Sequence, residues 1–255
     1  MIDVVTLQWG IAIAYIGACL FLILGQRAEQ WDKAALLLTG LALLTHFSMI
    51  VFRGLDSGQI PIVTRYEDYT VDAFAVVAIY LLAQWRWPQL RRTGVLVLPI
   101  AALGVVIALN YSRGVFPMGP ALRTNWLIIH AQLNSLAIGF AVLTAASSLM
   151  LRKDSSGVVG RLMSWTFLSW AAMVAAGSYW ASIAWGRFWG WDPIECWSLA
   201  TILAYACVLH LRFNPAWANG YRSIFTGLIP FGLMMFTTYA LVFVMRSVHG
   251  QYVFQ

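Results

Sequence analysis

Charge is what this 255-residue sequence has least of. Lys, Arg, Asp and Glu make up 10% of it, against 61% apolar residues, and mean hydropathy is +0.75. A water-exposed globule needs far more polar surface, so a soluble domain is excluded. Cysteine is scarce as well. Cys19, Cys196 and Cys207 are an odd number with no C-x-x-C spacing, which argues against a disulfide framework and a zinc knuckle. The first ten residues, MIDVVTLQWG, lack the basic start of a signal peptide, so the first apolar run is read as a retained helix. No linker, low-complexity tract or repeat divides the chain, which reads as a single domain over 1–255. The sequence pI near 9.5 does not point to nucleic acid, because the basic residues stand in short connections between apolar runs, where membrane orientation accounts for them.

What is present is apolar length. Eight runs are long enough to cross a bilayer, roughly 5–25, 34–53, 70–87, 94–111, 125–151, 161–180, 193–213 and 223–245. Alternate connections carry 10 of the 16 Lys and Arg, while the opposite set carries seven of the ten acids. The positive-inside rule then puts both termini on the extracytoplasmic side. The expectation is an all-α polytopic membrane protein of about eight transmembrane helices.

Aromatics are concentrated in one place. Seven of the thirteen tryptophans fall between Trp165 and Trp197. Within that stretch, Trp185-Gly186-Arg187-Phe188-Trp189-Gly190-Trp191-Asp192 sets three indoles, a phenyl ring and two glycines in eight residues. Flat apolar faces next to glycines suit a planar ligand approached closely by backbone. Trp9, Trp31, Trp85, Trp87, Trp126 and Trp217 end apolar runs and are accounted for by interfacial belts. Asp192-Pro193-Ile194-Glu195 has the pattern of a capping box that starts a helix. On the charge assignment, segment 180–197 lies on the outer face.

Four histidines are placed by helix rise. His130 stands about 8 Å below the outer surface, and His249 follows the last run on the same side. His210 lies about 26 Å beyond Pro193, close to the cytoplasmic face, and His46 sits in the outer half. Imidazole is the usual axial ligand of haem iron, and bis-His ligation takes one from each side of a flat ring. The chain has no C-x-x-C-H of its own, so any haem here is not covalently attached.

Trp185-Gly-Arg-Phe-Trp-Gly-Trp-Asp-Pro-Ile-Glu195 resembles the W-G-x-x-W-x-W-D-P-x-E (WWD) motif of the haem-handling proteins of cytochrome c maturation. With Leu199 to Tyr205 and Leu209-His210-Leu-Arg212, it looks most like the CcsA (ResC) branch of System II cytochrome c synthases. His130 resembles that branch's first outer histidine, Val248-His249-Gly-Gln-Tyr252 the second, and His210 the histidine within the membrane. The stretch from His46 through Arg53 to Tyr66-Glu67 resembles the segment that usually ends P-x-x-N-x-Y-E-S, although Val63-Thr-Arg-Tyr-Glu-Asp68 departs from it.

The resemblance implies b-type, non-covalent haem stacked on Trp185, Trp189 and Trp191, with Gly186, Gly190 and Asp192 shaping the loop. It implies iron held by His130 and His249 outside and by His210 inside, with His46 a further candidate ligand. Arg187, Arg123 or Arg246 could pair with haem propionates. The implied activity is haem attachment to an apocytochrome c bearing C-x-x-C-H, by positioning rather than by acid–base catalysis. A CcsB (ResB)-like membrane partner is implied, in a bacterial cytoplasmic (inner) or thylakoid membrane. Two other readings are a b-haem electron-transfer subunit of a respiratory complex and a haem exporter.

Overall fold

The structure, a computed structural model, describes residues 3–25, 28–151 and 157–245. Among them every regular element is helical. The chain divides into two compact units, Met1–Val115 and Phe116–Gln255.

The first unit holds α1 (Val4–Leu24), α2 (Glu29–Ser57), α3 (Arg65–Arg86), a 3-10 turn (Pro88–Thr93) and α4 (Gly94–Ala108). Helix α1 packs on α2 and α4, and α3 on α4. Gly94 allows the α1 and α3 side chains close to α4, because a Cβ there would collide with Leu22 and Tyr80. Two ion-pair sites staple the unit. Asp32 of α2 pairs with Arg91 and Arg92 at 3.3 and 3.2 Å. Arg53 of α2 pairs with the buried Glu67 of α3 at 2.8 Å and donates to the carbonyls of Arg113 and Gly114.

The second unit holds a 3-10 turn (Pro120–Leu122), α5 (Asn125–Met150), α6 (Val158–Trp185), α7 (Pro193–Leu211), the one-turn α8 (Pro215–Ala218), α9 (Gly220–Met235), a π-helical turn (Phe236–Ala240) and α10 (Leu241–Val244). Small residues along α5, among them Ala137, Ala141, Ala145 and Ala146, are buried against their neighbours, the device by which helices approach closely where lipid offers no hydrophobic drive. Cross-helix polar contacts add to it. Thr144 and Thr166 hydroxyls meet at 3.2 Å, Thr201 and Thr237 at 3.3 Å, and the buried Trp170 indole donates to the Ser198 carbonyl at 3.1 Å. Trp170 also anchors an apolar cluster with Met173, Tyr205 and Met234.

Seven helices are long and apolar enough to cross a membrane among the described residues. The eighth expected span, 70–87, is a helix of 22 residues, but Arg65, Glu67, Asp68, Asp72 and Arg86 hold its hydropathy below that of the rest. Helices α2 and α6 run past the expected 34–53 and 161–180. Both stop only at a glycine with left-handed backbone, Gly58 at φ 65° and Gly186 at φ 72°, where a Cβ would be strained.

Candidate functional site

Helix α6 ends at Trp185, and Gly186 closes it with a hydrogen bond from its N–H to the Ser182 carbonyl. The loop then runs to Asp192, whose carboxylate accepts from the Ile194 N–H at 3.0 Å and starts α7. The capping box reaches further than its name suggests. Glu195 Oε2 accepts from the Asp192 N–H at 3.1 Å and also from the Gly190 N–H at 2.7 Å. Trp191 stands between these two pinned peptides with φ 56°, the one non-glycine residue in left-handed backbone among those described. That conformation costs a bulky residue about 1–2 kcal/mol. The residue is 70% exposed, so burial does not repay the strain.

The aromatic rings form three sets. His130, on the second turn of α5, lies parallel to Trp180 at 27° with centroids 6.1 Å apart, and Trp180 meets Trp185 at 5.0 Å. Trp126 packs on Tyr179 at 4.4 Å, and Tyr179 meets Phe188 edge-on. Trp189 and Trp191 stand at 86° to each other. Two planes so crossed cannot both lie face-on against one flat ring, and the exposed face is that of Trp191. Arg187 is exposed, and its guanidinium lies over Gly190, where a Cβ would collide with it. Gly186 and Gly190 are therefore needed by the loop itself, one for its backbone and one for its neighbour.

The setting of His130 is specific. Nδ1 lies 2.9 Å from the Met173 carbonyl, which can only accept, so Nδ1 carries the proton and Nε2 the lone pair. Gly177 makes room for the ring, since a Cβ there would stand 2.6 Å from Nδ1. A backbone carbonyl fixing one nitrogen so that the other can ligate is how histidine ligands of metals are oriented. Among the described residues no three His, Cys, Asp or Glu gather to hold a metal ion.

The other histidines lie elsewhere. His210, in the last turn of α7, is exposed, with Nδ1 on the Ala206 carbonyl at 2.9 Å and its lone pair on Nε2. It stands about 26 Å along α7 from Pro193. His46 is fully buried in the first unit, with Tyr15 Oη 3.1 Å from Nδ1 and the Phe74 ring edge-on at 5.8 Å. His249 and Arg246 lie outside the described residues. Arg123 donates to the Met118 carbonyl at 2.9 Å.

Sequence reasoning passed over several residues. Trp126, read as a belt residue, also packs its ring on Tyr179, next in sequence to the Trp180 that lies against His130. Met173, Gly177 and the second role of Glu195 carry no signal in sequence, since each acts through a contact across the fold. Tyr66-Glu67 proves to be a helix start: Thr64 accepts from the Glu67 N–H at 3.2 Å, and Glu67 accepts from the Val63 and Thr64 N–H groups. The spacing Thr64-x-x-Glu67 is the readable signal for it.

A family model described as "Cytochrome C assembly protein" matches residues 63–249. The chain belongs to this family. The match takes in His130, the tryptophan-rich loop and His210, and begins after His46. Among its relatives is the cytochrome c biogenesis protein CcsA of Parasynechococcus marenigrum (strain WH8102), 27% identical over 79% of this chain and 83% of the relative. CcsA of Synechococcus sp. (strain JA-2-3B'a(2-13)) is 25% identical over 92% of this chain and 90% of its own length. CcsA of Synechococcus sp. (strain CC9902) is 26% identical over 71% and 74%. This cytochrome c assembly protein is thus a multi-pass, all-helical membrane protein of the CcsA type.

Proposed function

We propose that the chain presents haem, bound non-covalently as b-type haem, for thioether attachment to the C-x-x-C-H segment of an apocytochrome c. The observation that carries this reading is His130, held by the Met173 carbonyl in the tautomer that leaves the lone pair on Nε2, within an aromatic cluster beside the loop Trp185–Trp191. Family membership supports the same role. In attachment, each cysteine S–H adds across a vinyl C=C of haem, so no leaving group or outside oxidant is required. The chain's contribution is placement: Trp191 offers an exposed face, Glu195 holds the loop, and His130 would supply a nitrogen to the haem iron. His249 is assigned as the opposite ligand from the sequence, and Arg187 as a partner for propionates.

A second membrane chain, of the CcsB (ResB) kind, fits His210. Its imidazole stands exposed in the last turn of α7, open to a group from a neighbouring chain. The segment 180–197 and both termini are assigned to the extracytoplasmic side by the charge bias alone.

The test is co-expression of wild-type and His130→Ala chains with such a partner and an apocytochrome c. A pyridine haemochrome spectrum separates covalent c-type product from b-type haem. Wild type yields covalent product, and His130→Ala loses most of it together with the Soret band of the purified chain. An unchanged spectrum in His130→Ala removes the axial role. Tightly held haem with no covalent product would favour the electron-transfer reading.

A further inference from the structure

In the first unit, where α1 ends and α2 begins, a cavity of about 240 Å³ opens between α1, α2, α3 and the 3-10 turn. A single water needs only about 10–15 Å³, so the space is larger than a bridging water requires. Its wall is of two kinds. Leu36, half exposed on the apolar outer stripe of α2 with Leu37, Leu41 and Leu44, forms one side. Arg91, Lys33, Glu29 and Asp32 form the other.

The charges do not cancel. Asp32, with a side chain only 10% exposed, is the single carboxylate between Arg91 and Arg92, and Arg92 also bonds the Leu22 carbonyl at the end of α1. Glu29 and Lys33 pair at 3.2 Å, but both are more than three-quarters exposed, so that pair is loose and screened. One positive charge is left over at a polar floor with an apolar rim. A ligand with an anionic group and a hydrocarbon tail matches both walls, and the positive end of the α2 dipole adds to the attraction.

We propose that this cavity binds the phosphate of a membrane phospholipid, with Arg91 and Lys33 as its cationic contacts and an acyl chain lying along Leu36. The asymmetry of the wall favours a lipid over a free anion, because inorganic phosphate gains nothing from Leu36.

Native mass spectrometry of the delipidated full chain in detergent tests this, with phosphatidylglycerol, diacylglycerol and inorganic phosphate as separate probes. Wild type retains one phosphatidylglycerol, and Arg91→Gln and Lys33→Glu each weaken retention by about tenfold, the scale of one lost charged contact in a partly dry site. Leu82→Gln, at an exposed position of α3 outside the cavity wall, leaves it unchanged. Lys33 is more than three-quarters exposed, so its replacement opens no hole in the core, and Lys33→Glu carries the test if Arg91→Gln fails to fold. Equal retention in wild type and Lys33→Glu overturns the proposal. So does diacylglycerol held as tightly as phosphatidylglycerol, and inorganic phosphate bound as well as the lipid would assign the site to a free anion.

Discussion

The carboxylate of Glu195 holds the peptide N–H groups on both sides of Trp191, at 2.7 Å from Gly190 and 3.1 Å from Asp192. A residue whose backbone is unfavourable and whose ring is mostly exposed is thereby kept in place by a side chain one helical turn away. The loop spends stability on the direction in which one indole points.

Replacing Glu195 with Ala removes both bonds and the reciprocal half of the capping box. We expect a loss of about 1–3 kcal/mol of stability, seen as a lowered Tm, and a change in tryptophan fluorescence as Trp191 relaxes. Glu195→Gln keeps an acceptor oxygen and should fall between the two. If Glu195→Ala leaves both signals unchanged, the pinning has no energetic weight.

Trp191→Gly separates stability from function. Glycine adopts φ 56° at no steric cost, and the residue it replaces is 70% exposed. The variant should melt at or slightly above the wild-type temperature while haem retention, followed at the Soret band, drops. A marked fall in Tm would show that the ring contributes to the fold.

Gly177→Ala puts a methyl group 2.6 Å from His130 Nδ1. The imidazole must turn, breaking its bond to the Met173 carbonyl. Haem that is still bound should then show an altered axial-ligand signature in its optical or electron paramagnetic resonance spectrum. Gly232→Ala, in α9 with nothing within 4 Å of the new Cβ, is the matched control. It should be neutral or stabilising by up to about 1 kcal/mol.

Arg53→Ala leaves the 2%-exposed Glu67 carboxylate without its cation and releases the carbonyls of Arg113 and Gly114. Stranding a buried charge costs about 3–5 kcal/mol. Thermal unfolding should show a loss of that order, and the double variant Arg53→Met/Glu67→Gln should recover part of it. Equal melting of Arg53→Ala and wild type would place the pair in the weak, solvent-screened class.

Much of the architecture was legible because hydrocarbon thickness imposes run length on sequence. The ends of α2 and α6 were not, since polar residues such as Asp56 and Ser57 continue a helix until a left-handed glycine stops it. The tryptophan-rich loop was visible from composition, and the Asp192–Glu195 cap from spacing. The setting of His130 was hidden, because Met173 and Gly177 lie more than 40 residues away and meet it only when α5 and α6 pack. The crossed planes of Trp189 and Trp191 were hidden too, being fixed by backbone torsions that carry no composition signal.

The wide turn Phe236–Ala240 has a consequence for insertions and deletions. A π-helical turn fits one residue more than an α-turn while the helix on either side stays in register. Removing one residue there would leave Leu241, wholly enclosed, and Phe243, 62% exposed, facing as they do now. The same deletion made earlier, within Gly220–Met235, would swivel everything downstream by about 100° and exchange enclosed side chains for outward ones. A one-residue deletion in the last membrane segment is therefore better absorbed at Phe236–Ala240 than within α9.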